Sequence, residues 1–373
     1  MMTGMNTLRI GDLTARIPII QGGMGVGVSL SGLAAAVANE GGIGVIAASG
    51  IGMLQPDGFS DFLGANVRAL RAEIRRAREM TKGILGVNIM VALSDYANLV
   101  RTAVEEKVDV IFSGAGLPLN LPEFLKTAGR TKLAPIVSSA RAAGLLARKW
   151  LAKYNYLPDA FVVEGPLAGG HLGFSPEQIG DPGFSLEKLV PQVLAEVRPV
   201  EERFGKKIPV IAAGGIFTGA DIRKFTALGA SGVQMATRLV GTEECDASPA
   251  FKQTFVDARE EDLVIIKSPV GMPGRAIHNQ FIEDVNAGKK KPFRCPYHCI
   301  VTCRQQTSPY CIAMALTSAL RGRLRNGFAF AGANAFRVKK IVPLKELLAT
   351  VLEEYGEAVR GQAPADGLSG CGA

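Results

Sequence analysis

Residues 161–174 read FVVEGPLAGGHLGF, an apolar run passing into a glycine-rich loop that carries His171, one of three histidines in the chain. Phe161, Val162 and Val163 have the composition of a short strand buried on both faces of a parallel sheet. Gly169 and Gly170 remove two side chains just before the imidazole, so backbone can approach a ligand closely and positive φ is accessible. Such a loop can hold a titratable group against a flat ring. The local residues leave a second reading open, in which His171 is a hydrogen-bonded turn residue.

Outward from this stretch, similar apolar runs recur: IPIIQ at 17–21, GVIAAS at 44–49, ILGVNIM at 84–90, DVIF at 109–112, LAPIVS at 133–138, AFVVE at 160–164, IPVIAAG at 208–214 and SGVQMA at 231–236. Helical stretches separate them. Eight strands alternating with helices over roughly 250 residues is the count and length of a (β/α)8 barrel. An open doubly wound sheet is the alternative, but it gathers its ligand at one switch point. Here a glycine-rich or polar loop follows every strand, starting with Gln21, Gly22 and Gly23. The expected fold class is therefore α/β, a TIM barrel over residues 1–260, with a C-terminal helical and loop cap over residues 261–373.

Two of these loops sharpen the ligand. Gly214 and Gly215 follow the seventh strand, and Ala236 and Thr237 follow the eighth. Loops at those places in such barrels frequently hold a phosphate through backbone N–H groups. A phosphate-bearing ligand is expected.

The chain has 373 residues, 47% hydrophobic, with 44 glycines and few aromatics, which suits a core with many tight βα turns rather than disorder. Its formal charge of +8 is clustered. Arg68, Arg71, Arg75, Arg76 and Arg78 fall on a helix expected near residues 60–80, where a charge run reads as a solvated face. Lys289, Lys290, Lys291 and Arg294 form a second cluster that could attract an acidic partner. The basic runs carry no aromatic interleaving of the kind nucleic-acid surfaces use. The amino terminus has no apolar signal region and no segment has the apolar length of a membrane span. A cytoplasmic location, with no membrane and no nucleic-acid partner, is expected.

Reduced cysteines follow from that location. Four of the six lie in RCPYHCIVTCRQQTSPYC, at positions 295, 299, 303 and 311. With Pro296 at a first helical position, the first three would repeat at i, i+4 and i+8 on one helix face. Core packing and a metal or iron–sulfur site with His298 as a further ligand both remain open. The usual spacing of two residues between ligands is absent, and no residue is assigned to a metal.

Together, IIQGGM at 19–24, GVNIM at 86–90, AGGH at 168–171, IAAGGI at 211–216 and GVQMATR at 232–238 resemble the nitronate monooxygenase family of FMN-dependent barrels. That family also contains flavin-dependent enoyl-ACP reductases and NADH:quinone reductases. The resemblance implies that Gly22, Gly23 and Met24 lie along an FMN, that Asn88 hydrogen-bonds its polar edge, and that Gly169 approaches the ring. It further implies that Gly214, Gly215, Ala236 and Thr237 hold the phosphate and that His171 is the catalytic base. The activity implied is oxidation of alkyl nitronates or nitroalkanes with oxygen. SGAGLP at 113–118, Ser138 and SPVGMPGRAIHN at 268–279 are more similar to the reductase branch, which would use NAD(P)H on an enoyl thioester or quinone and could dock an acyl carrier protein. Two readings without the resemblance are a flavin-free phosphate-binding lyase or isomerase and an electron-transfer protein whose cysteines hold a cluster.

Overall fold

The computed structural model describes residues 5–127, 130–289, 295 and 297–361. Eight parallel strands close into a barrel in chain order: β1 (Ile19–Gln21), β2 (Ile43–Ala47), β3 (Ile84–Met90), β4 (Val110–Gly114), β5 (Lys132–Val137), β6 (Phe161–Glu164), β7 (Val210–Ala213) and β8 (Gly232–Met235). β8 returns to β1, pairing Val233 with Ile19. All eight expected strands are present, and the expected (β/α)8 class holds.

Alternation along each strand separates two cores. Ile20, Val45, Phe112, Val162 and Ile211 fill the barrel interior, while Ile19, Ile46, Val87, Ile111 and Val163 face the helical layer. A hairpin not anticipated from the sequence, Leu8–Ile10 with Leu13–Ala15, sends Leu8, Ile10 and Ala15 into the interior core. It closes the barrel at the strands' amino ends. Its signal was the Gly11-Asp12 pair between alternating residues, with Gly11 at φ +59°.

In the outer layer, helix Ala140–Tyr154 buries Trp150 completely, and the indole N–H donates to the Pro118 carbonyl at 3.0 Å. Trp150→Ala leaves a large cavity and an unpaired carbonyl. The expected loss is about 3–5 kcal/mol of unfolding free energy, measured by urea denaturation; a loss under about 1 kcal/mol would contradict this packing.

The arginine-rich helix is present as Phe62–Met80. Its arginines do not simply face solvent. Arg71 pairs with Glu105 and Glu106, Arg75 with Glu106, and Arg78 with Asp109. The charge run is answered by acids on or just after the next helix, Tyr96–Glu105.

After β8 the chain divides its work. An antiparallel hairpin of β9 (Leu263–Lys267) and β10 (Pro273–Ile277) stands where a loop was expected. β10 also pairs with the two-residue strand Gly170–His171. The last helix, Leu344–Gly361, instead lies in the outer layer, where Glu354 accepts from the Gly219 N–H at 2.8 Å and from both Arg238 terminal nitrogens at 2.9 and 3.0 Å.

The cysteine helix is corrected. Cys295 and residues 297–299 are not helical, His298 sits in the left-handed region at φ +45°, and Ile300 bridges to Leu93. Only Cys311 meets a helix, as the N-cap of Ile312–Leu320. Pro296, Lys290, Lys291 and Arg294 lie outside the described residues, and Lys289 pairs with Asp284 at 3.5 Å. No helix among the described residues is long and apolar enough to cross a membrane.

Candidate active site

At the carboxyl ends of the strands lies a cavity of about 610 Å³, within the range of small-molecule and cofactor sites. Gly22, Gly23, Met24, Asn88, Gly169, His171, Gly214, Gly215, Ala236 and Thr237 all line it. Residues from four strand-end loops, those after β1, β6, β7 and β8, and from β3 therefore line one cavity. Gln21, which hinted at a site, does not take part. It is buried and bridges β1 to β2, accepting from the Val45 N–H at 2.8 Å and donating to the Val45 carbonyl at 2.9 Å.

The glycines are there because neighbouring atoms occupy the space. A Cβ on Gly23 would lie 2.3 Å from the Asn88 Cβ, and one on Gly169 would lie 2.5 Å from the Gly332 nitrogen. Gly214 and Gly215 adopt φ +93° and +82°, a region L-residues avoid. The walls are thus largely backbone, a shape that suits a flat ligand, and the Asn88 amide faces them with no hydrogen-bond partner among the described residues. The backbone walls and the unpartnered Asn88 amide fit a flavin.

His171 is held by the cap. Its Nε2 lies 2.7 Å from the Ser268 Oγ, its ring meets Phe330 edge-on at 5.0 Å between centroids, and its backbone pairs with β10. Nδ1 has no protein partner among the described residues. Burial lowers the imidazole from 6.5 to about 4, so at neutral pH the ring is uncharged and can accept a proton. The loop before it is tied down by the buried Arg275, which donates to the Pro166 and Ala168 carbonyls, both at 2.7 Å.

Three contributors were missed from the sequence. Ser268 belongs to a quoted motif but shows its role only when β9 and β10 fold back. Residues 330–334 line the cavity, and the Asn334 amide donates to the Gly215 carbonyl at 2.6 Å; the glycine-containing AGAN there was the available signal. Glu164 ends β6 inside the quoted stretch and lines the same cavity without a hydrogen-bond partner among the described residues.

Burial raises the Glu164 carboxyl from 4.5 to about 7. The folded chain therefore holds this proton more tightly than the unfolded chain, so the stability it contributes is present below about 4.5 and is lost as pH rises through about 7. Glu164→Gln cannot ionise. Its thermal midpoint should gain on the parent's between pH 5 and pH 8, measured by differential scanning calorimetry; a constant difference across that range would contradict the buried, unpaired carboxyl.

A closed (β/α)8 barrel with a glycine-walled cavity and a half-buried histidine at its carboxyl face is the architecture of a barrel enzyme. The chain belongs to the nitronate monooxygenase family of oxidoreductases, whose model matches residues 6–354. It is 29% identical over 273 residues to an octahydro-indene-carboxyl-CoA dehydrogenase of Mycobacterium tuberculosis, covering 73% of this chain and 66% of that one, just under two thirds of the relative's length. It is also 29% identical over 310 residues to a protein named "Probable nitronate monooxygenase" from Staphylococcus aureus, covering 74% of this chain and 79% of the relative. Among solved structures, FabK from Thermotoga maritima superposes with a TM-score of 0.70 at 31% identity, over 93% of this chain and 95% of the other. A nitroalkane oxidase from Streptomyces ansochromogenes shares the fold, with a TM-score of 0.70 at 23% identity over 94% and 98% of the two chains.

Proposed function

We propose that this protein is an FMN-dependent oxidoreductase that oxidises alkyl nitronates and nitroalkanes with oxygen, with His171 as the base. The observation that carries the reading is the uncharged His171, braced by Ser268 in the wall of the glycine-lined cavity. When bound, FMN supplies the two-electron and oxygen chemistry. The chain's part is to position and to move one proton. In the tautomer whose Nε2–H donates to the Ser268 Oγ, the Nδ1 lone pair is left to take the α-proton of a neutral nitroalkane. A nitronate already lacks that proton, so for it the same ring orients and excludes water. Backbone N–H groups around Gly214, Gly215, Ala236 and Thr237 would take the phosphate, and the Asn88 amide the polar edge of the ring. The reading is tested by oxygen uptake with propyl nitronate: turnover without added nucleotide supports it, and no uptake by flavin-replete protein overturns it.

A second reading is an NAD(P)H-dependent reductase of an enoyl thioester or quinone. Two observations support it: the 31% identity to FabK over nearly the whole of both chains, and the relative that is named for a CoA thioester. In that reaction His171 would sit beside the carbon that receives a proton. NAD(P)H oxidation dependent on an enoyl thioester, with no oxygen uptake on nitronate, is the result that selects it.

A further inference from the structure

Residues 297–311 hold neither helix nor strand, apart from the single bridge at Ile300. A stretch of that length inside a compact barrel protein is commonly functional or needs a staple. Cys299, Cys311 and Tyr297 pack on one small cluster formed by Met53, Phe62 and Ala313, and the Tyr297 and Phe62 ring centroids lie 5.3 Å apart. Cys299 lies within electrostatic reach of Cys295, Cys303 and Cys311, and Cys311 within reach of Cys295 and Cys303. None of the four is in a disulfide, and all are half-buried rather than sealed in the core.

Backbone N–H groups lie near two of these sulfurs. The left-handed His298 turns its N–H onto the Cys295 Sγ at 3.4 Å. At the N-cap of helix Ile312–Leu320, Cys311 makes no side-chain capping hydrogen bond, but the nearby N–H groups of Met314 and Ala313 favour its thiolate. Donors aimed at sulfur stabilise a thiolate and are a means by which proteins tune thiolate-bound clusters. The cation Arg321 lies near Tyr297 and donates to the Met53 carbonyl at 3.4 Å.

Among the described residues, no three His, Cys, Asp or Glu side chains are close enough to hold a single metal ion. A tetrahedral zinc would require all four sulfurs at about 2.3 Å from one point. A cubane distributes its thiolates over four iron corners and so takes sulfurs that are gathered but wider apart. We propose that Cys295, Cys299, Cys303 and Cys311 ligate a [4Fe–4S] cluster that staples the 297–311 loop beside the barrel. Each thiol gives its proton to solvent as its sulfur bonds one iron. The site lies near the cavity described above, since Leu316, five residues along from Cys311 on the helix that it caps, lines that cavity.

The test is anaerobic purification of the full chain, followed by iron and acid-labile sulfide assays, with reconstitution by equal ferric and ferrous iron with sulfide if the metal is low. About four irons and four sulfides per chain are expected, with a broad visible band that remains after flavin is removed and an electron paramagnetic resonance signal after dithionite. Cys303→Ser should lower the iron at least severalfold. Cys245→Ser, at a buried barrel thiol, should leave it unchanged and guards against misfolding as the cause. One zinc per chain without sulfide, or four thiols that react as free thiols after reconstitution, would overturn the proposal. The outcome is independent of which substrate the flavin pocket takes.

Discussion

His171→Ala loses about 10²–10⁴-fold in kcat/KM with a neutral nitroalkane, the size of a general-base contribution, while keeping its flavin. With the preformed nitronate the loss falls below about tenfold, because the anion needs no base. The contrast follows from the environment of the ring. Burial holds the imidazole at about 4, so the uncharged base is fully available at neutral pH. Its activity should disappear only as pH falls through that value. The variant removes the edge contact to Phe330 and the Ser268 hydrogen bond but no residue assigned to the flavin, so steady-state kinetics with both substrates separate base from scaffold. Equal turnover of the nitroalkane by parent and variant would remove His171 from the catalytic role.

Gly215→Val lowers bound FMN by at least about tenfold at equal cofactor concentration, a change of about 1.4 kcal/mol. Two effects act together. Gly215 sits at φ +82°, where a β-branched residue is strained by about 1–3 kcal/mol. A side chain there would also start 2.9 Å from Leu167 Cβ and Cδ1, pushing the wall of the proposed phosphate end. Flavin absorbance per chain measures retention, and far-ultraviolet circular dichroism shows that the barrel is intact. Normal flavin content in a folded variant would contradict the phosphate-site assignment.

The barrel was legible because its strands are short β-branched and apolar runs, each followed by a glycine-rich or polar loop, whose length and flanks favour a buried strand over a helix. The ten residues named from sequence line one cavity because strand ends in a closed barrel must converge. What sequence missed lies where contact is non-local. Ser268 reaches His171 across 97 residues, and Asn334 reaches Gly215 across 119. Gln21 misled for a related reason: a polar residue at a strand end can serve the ligand or the neighbouring strand, and the Val45 backbone claims both of its polar atoms. The cysteine stretch failed as a helix because spacing at i, i+4 and i+8 specifies a face only if a helix forms. His298 in the left-handed region ends any such helix after one turn.

The central claim is that the cavity holds a flavin reduced directly by nitronate. An anaerobic visible spectrum of the purified protein, titrated separately with propyl nitronate, NADH and NADPH, tests it most directly. Bleaching of the flavin band by nitronate, with little change on adding either nucleotide, is the expected result. A band that bleaches rapidly with NADH or NADPH and is unmoved by nitronate would contradict the claim and select the reductase reading.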